Sequence, residues 1–103
     1  MPQFAVYKSP LRDPSIAFVL QIQTSRFDRI STRVVMALMH RGATPPSDHS
    51  LTPHLTILGI PVYPDPLNIA TIPSSRLSVP LAILPEADQA RIITAIDELI
   101  SRA

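Results

Sequence analysis

The chain has no cysteine and only two glycines in 103 residues. Without cysteine there is no disulfide framework, no Cys-based zinc site and no thiol nucleophile. With glycine only at positions 42 and 59, no glycine-rich loop can cradle a phosphate. Nor is there an apolar run long enough to span a bilayer. The opening Met1-Pro2-Gln3-Phe4-Ala5-Val6-Tyr7-Lys8 lacks the basic start and long apolar stretch of a signal peptide. A cytoplasmic location without a membrane partner is therefore expected. Charge is scarce too: nine Lys and Arg against eight Asp and Glu leave a net charge of +1. No basic block marks a nucleic-acid face, so direct nucleic-acid binding is not expected.

What the chain does have is apolar side chains, at 46%, and twelve prolines. Disorder goes with low hydrophobicity, so the prolines are read as punctuation of short strands and stiff loops. The length fits one domain over residues 1–103. For so small a domain the mean hydropathy of +0.22 is high. A small protein has proportionally more surface to cover, which favours an oligomer that buries a second face.

The hydrophobic pattern is mainly that of strands. Gln3–Lys8 alternates, with Phe4 and Val6 on one face. Ile16–Gln23 alternates likewise, with Phe18, Leu20 and Ile22 together, and a polar, proline-bearing turn joins the two. Residues 24–32 are polar and irregular, with Phe27 and Ile30 as their apolar members. Val34–Met39 is apolar without a break, which predicts a strand covered on both faces. A C-terminal helix can cover one face, and a second subunit is expected on the other. Residues 40–50 read as a loop. Residues 55–58 and 60–63 read as strands around a turn at Gly59, the second short or at an edge because Pro64 and Pro66 cannot donate ladder bonds. Residues 68–73 and 78–83 are brief strand candidates. Pro85 stands as a first helical residue, with Glu86 and Asp88 in the first turn. Ile92, Ile93, Ile96, Leu99 and Ile100 then recur at helical spacing as one apolar stripe.

Chemistry-bearing motifs are missing from this pattern. His40, His49 and His54 have no helical i, i+4 partner and no carboxylate cluster, so no metal site is expected. There is no G-x-S-x-G elbow. Asp97 and Glu98 are adjacent on the helix, point apart and cannot share a proton. No cofactor and no catalytic residue are assigned.

The order of the segments carries more. Gln3-Phe4-Ala5-Val6-Tyr7-Lys8, Leu20-Gln21-Ile22-Gln23-Thr24, Ser31-Thr32-Arg33-Val34-Val35, Leu51-Thr52-Pro53, Ala70-Thr71-Ile72-Pro73 and Ile92-Ile93-Thr94-Ala95-Ile96-Asp97 follow in the order and spacing of one family. Over essentially its whole length the chain resembles the CcdB-type toxins of type II toxin–antitoxin pairs. The resemblance implies an α+β, mainly β fold: an SH3-like barrel related to MazF, with a five-stranded antiparallel sheet, a small satellite sheet and a C-terminal α-helix. It implies a homodimer, with Val34, Met36, Ile96 and Leu99 at the interface. It implies neutralisation by a CcdA-like antitoxin, with Gln23, Thr24 and Phe27 as contacts, although Phe27 also fits a core plug beneath an irregular loop. It implies poisoning of DNA gyrase through the A subunit, with Asp97 and Ile100 on the partner-facing turn, and no enzymatic activity.

The best-known members end in an aromatic residue followed by Gly-Ile, whereas this chain ends Ile100-Ser101-Arg102-Ala103. A charged tip must be desolvated or paired to enter a groove. Gyrase poisoning is therefore expected to be weak or absent while the fold persists. A MazF-like endoribonuclease is the alternative, with Thr32 and Arg33 as the hydroxyl and cation that phosphoryl transfer needs. A CcdB-fold protein that no longer binds gyrase is the other.

Overall fold

The computed structural model describes residues 2–101. Six strands and one α-helix follow in the order β1 (Ala5–Lys8), β2 (Ile16–Gln21), β3 (Thr32–His40), β4 (Leu55–Ile57), β5 (Ile60–Pro73), β6 (Ala82–Ile83) and α1 (Glu86–Leu99). Single 3₁₀ turns lie at Ser25–Phe27 and Ser74–Arg76. All six strands form one antiparallel sheet, ordered β4-β5-β3-β2-β1-β6, which curls into a nearly closed barrel capped by the helix. The expected mainly β barrel with a C-terminal helix is the fold observed. The small β4–β5 hairpin is continuous with the main sheet.

Alternation along the strands sorts the core into two halves. Val6, Phe18, Leu20, Leu38 and Val62 pack on one side with Leu84 and with Ile92 of α1. Ala5, Tyr7, Val19, Val35, Ala37 and Ile72 pack on the other, closed by Leu11 and Leu77 from the connecting segments. Both faces of β3 are thus covered within one chain, and Val35 to Leu38 are all buried. The unbroken apolar run therefore does not require a second subunit. Its inner cover comes from the chain's own loops, whose apolar members are too isolated in sequence to be read as a layer.

Strand β5 corrects the reading of the prolines. It runs fourteen residues, through Pro64 and Pro66, instead of ending at Tyr63. Ile57 and Ile60 close the β4–β5 hairpin, and alternation from that pair turns the nitrogens of Ile60, Val62 and Pro64 toward the β4 side. There β4 has already ended, so the missing N–H of Pro64 costs no ladder bond. Met36 pairs with Ile69 and Ala37 with Asp65, which leaves Pro66, Leu67 and Asn68 outside the ladder as a bulge.

The hairpin turn places both central residues at positive φ, Leu58 at 52° and Gly59 at 80°, the signature of a type I′ turn. Glycine adopts this freely, but a branched side chain is strained there. Leu58 is exposed, so nothing offsets the strain. Leu58→Asn is expected to stabilise the protein by about 1 kcal/mol, a rise in melting temperature of roughly 4–8 °C. Calorimetry checks this, and an unchanged or lower melting temperature refutes it.

Helix α1 begins one residue later than expected, with Pro85 as its N-cap. Its apolar stripe is also narrower. Only Ile92 and Ala95 are buried, Ile96 packs at the edge of the core, and Ile93, Leu99 and Ile100 are exposed. A helix lying on the rim of a curled sheet touches it along a line, so the flanking isoleucines reach past the contact.

Candidate functional site

The irregular segment between β2 and β3 is a built loop. Thr24 caps the 3₁₀ turn, its hydroxyl accepting from Arg26 N at 3.5 Å. Backbone bonds from Phe27 N to Thr24 O, Asp28 N to Ser25 O and Ile30 N to Phe27 O close it on itself at 3.0–3.1 Å. Gln3 ties it to the N-terminal strand, with its backbone N donating to Ser25 Oγ at 3.2 Å and its side-chain Nε2 donating to Ile22 O at 3.0 Å.

Two side chains hold the loop from within. Gln23 Nε2 donates to Phe27 O at 3.2 Å and Thr32 O at 3.3 Å, while its Oε1 accepts from Val34 N at 2.9 Å. Arg33 shares the inward face of β3 with Val35 and Ala37, and is only 5% exposed. Its guanidinium donates to the carbonyls of Asp28 at 2.8 Å, Thr32 at 2.9 Å and Ile30. Behind them Tyr7 Oη donates to Gln21 Oε1 at 3.4 Å, and Gln21 Nε2 donates to Gln23 O at 3.2 Å. Burial pushes the Tyr7 hydroxyl above its ordinary pKa, opposed in part by the nearby Arg33 charge.

What the loop leaves outside is apolar and basic. Phe27 is 53% exposed and Ile30 51%. Arg26 and Arg29 are exposed beside them, and among the described residues neither forms an ion pair. The core-plug reading of Phe27 is thus excluded. Of the three expected contacts in this segment, Phe27 faces outward, while Gln23 and Thr24 hold the loop's shape. Sequence reasoning missed Arg33 as its clamp. The available signal was parity: residue 33 falls on the same face as Val35 and Ala37, an inward charge that a strand tolerates only with partners.

The remaining expected residues fall elsewhere. Asp97 and Ile100 are exposed at the tip of α1, and Leu99 is 37% exposed. Val34 is half-buried, Ile96 packs against the core, and Met36 is wholly buried within the chain and cannot meet a partner as it stands. Arg102 and Ala103 lie outside the described residues. A groove of about 360 Å³ runs between residues 46–52, the β5 bulge and the helix tip, with Leu51, Pro66, Leu67 and Leu99 in its walls.

Asp48 straps the adjoining loop. Its carboxylate accepts from His54 N at 2.9 Å and faces Arg91 Nη2 of α1 at 3.4 Å. The His54 backbone donor, reinforced by nearby positive charge, holds its pKa below the ordinary 3.8. A depressed carboxylate stabilises the fold above its unfolded pKa, and that contribution is lost as pH falls through the folded value. Asp48→Asn is therefore expected to lower the melting temperature at neutral pH, with the two proteins converging as pH drops below about 3.8. A difference that persists at lower pH would sink this reading.

A solved structure described as an endoribonuclease in complex with its cognate antitoxin from mycobacterial species superposes on the chain with a TM-score of 0.79. At 17% identity, that likeness covers 100% of this chain and 97% of the other. No curated protein sequence matches the chain. The model of the CcdB protein family matches residues 3–101, and the chain belongs to that family. This places it among the toxins of toxin–antitoxin systems.

The expectation of a protein without enzymatic activity is corrected here. The same fold is carried by a solved endoribonuclease, and fold does not decide chemistry. The residues weighed for such chemistry are a separate matter. The Arg33 guanidinium is buried and bound to three backbone carbonyls, so it does not face a substrate. Among the described residues no helix is long and apolar enough to cross a membrane.

Proposed function

We propose that this chain is the toxin of a type II pair, acting in the cytoplasm as a homodimer and neutralised by a CcdA-like antitoxin that folds across the 23–30 loop. Membership of the CcdB family supports the toxin reading. The observation that carries the antitoxin contact is the preformed loop with Phe27 and Ile30 half-exposed beside Arg26 and Arg29, which form no ion pair among the described residues. Aromatic anchors flanked by charge are typical of recognition surfaces, and the arginines favour an acidic, apolar segment. Homodimerisation has apolar surface to use in Leu67, Ile69 and Leu99, all exposed in the single chain. A stable monomer by light scattering at micromolar concentration would overturn that part.

The target in this reading is the DNA gyrase A subunit, met by the α1 tip with Asp97 and Ile100 and poisoned weakly, because polar Ser101 and charged Arg102 follow Ile100 where the family carries an apolar tip. Cleavage of RNA is the second reading, favoured by the shared fold with an endoribonuclease toxin. The test is induced expression of the chain with and without the product of the neighbouring open reading frame. Growth arrest relieved by co-expression, with a purified complex of the two, is the expected result. Trapped DNA cleavage complexes then indicate gyrase, and broken transcripts indicate RNA. No arrest and no complex would overturn the reading.

A further inference from the structure

Exposed recognition loops are ordinarily mobile, and ordering them on binding weakens affinity. This loop differs, because a charge has been buried beneath it. Arginine is rarely buried unless paired, and here the partners are the loop's own carbonyls at Asp28, Thr32 and Ile30. They stand on the stretch that carries Phe27, Arg29 and Ile30. We infer that Arg33 is a positioning residue for partner recognition, a clamp that holds the 24–31 loop in its binding shape before the antitoxin arrives. This rests on the antitoxin reading above and adds a residue that need not touch the partner.

The geometry gives the reason for arginine in particular. A planar guanidinium presents several donors in a fixed fork, so one side chain can bind carbonyls from both ends of a turn at once. A lysine ammonium keeps the charge but is a compact point donor. It cannot reproduce that fork. Gln23 works in parallel from just beyond the end of β2, joining Phe27 O and Thr32 O to Val34 N. With both in place, the loop is fixed from beneath, by its own backbone and by Gln3, while the side chains of Phe27 and Ile30 stay half-exposed. The docked partner then orders only itself.

The test uses the full chain with Arg33→Lys, Phe27→Ala and the double variant. Amide hydrogen exchange is read on each free protein, and binding is read with the purified neighbour-encoded antitoxin. Arg33→Lys should speed exchange at Phe27, Asp28 and Ile30 by about tenfold or more, while the β1–β2 amides keep their protection. It should weaken antitoxin binding by a comparable factor. In the Phe27→Ala background that loss should largely vanish, because the clamp acts through the side chain it positions. A general loss of stability would instead lower binding equally in both backgrounds. If Arg33→Lys does not fold, Gln23→Leu gives the same comparison from the second clamp. Unchanged exchange in the loop, or additive losses, would overturn the proposal. Failure of the wild-type chain to bind the antitoxin would instead overturn the antitoxin reading, and the exchange result would still decide whether Arg33 holds the loop.

Discussion

Phe27→Ala is expected to weaken antitoxin binding by more than tenfold, about 2 kcal/mol, while the melting temperature stays nearly unchanged. The ring is 53% exposed, and the 3₁₀ turn that carries it contains no buried residue. Truncation therefore opens no cavity in the free protein. The backbone around it is fixed by Gln23 and Arg33, neither of which uses the ring. Binding is a different matter. An aromatic held rigidly above an ordered loop loses little conformational freedom on docking and removes a large apolar area from water. Calorimetric titration together with thermal unfolding checks both halves. A large drop in melting temperature with affinity intact would return Phe27 to a packing role.

Ile92→Ala is expected to have the largest effect on stability, a loss of about 2–5 kcal/mol. Ile92 is completely buried and is the α1 side chain within the main core cluster that holds Leu20, Leu38 and Leu84. Its neighbours on the stripe cannot substitute, because Ile93 is about half exposed and Ile96 packs only at the edge. A domain of this size has roughly 5–15 kcal/mol of stability in all. The variant should therefore unfold at a much lower denaturant midpoint, with α1 separating from the sheet. Ile93→Ala, one residue away, should change stability by only about 0.5 kcal/mol. Denaturant titration of the pair tests the assignment. Equal losses would mean that the helix sits on the sheet by a broad face instead of a line.

The amino-acid sequence by itself determined the class of fold. Alternation in residues 3–8 and 16–23 and helical spacing in 92–100 are local signals, and each tracks a backbone period that needs no partner to be expressed. The resemblance of the ordered short segments to one family was legible beside this, and the match over residues 3–101 agrees with it. What closes the second face of β3 was decided only by tertiary structure. Leu11 and Leu77 lie in segments with no periodicity, and they meet Val35 and Ala37 only once the sheet has curled. The length of β5 was likewise a tertiary matter, since Pro64 is harmless only where no neighbouring strand needs its N–H. The loop between β2 and β3 shows the division most plainly. Sequence placed Phe27 and Gln23 in it but could not tell which faces solvent. That follows from where a buried guanidinium and a half-buried amide find carbonyls, and those carbonyls converge only in the folded loop.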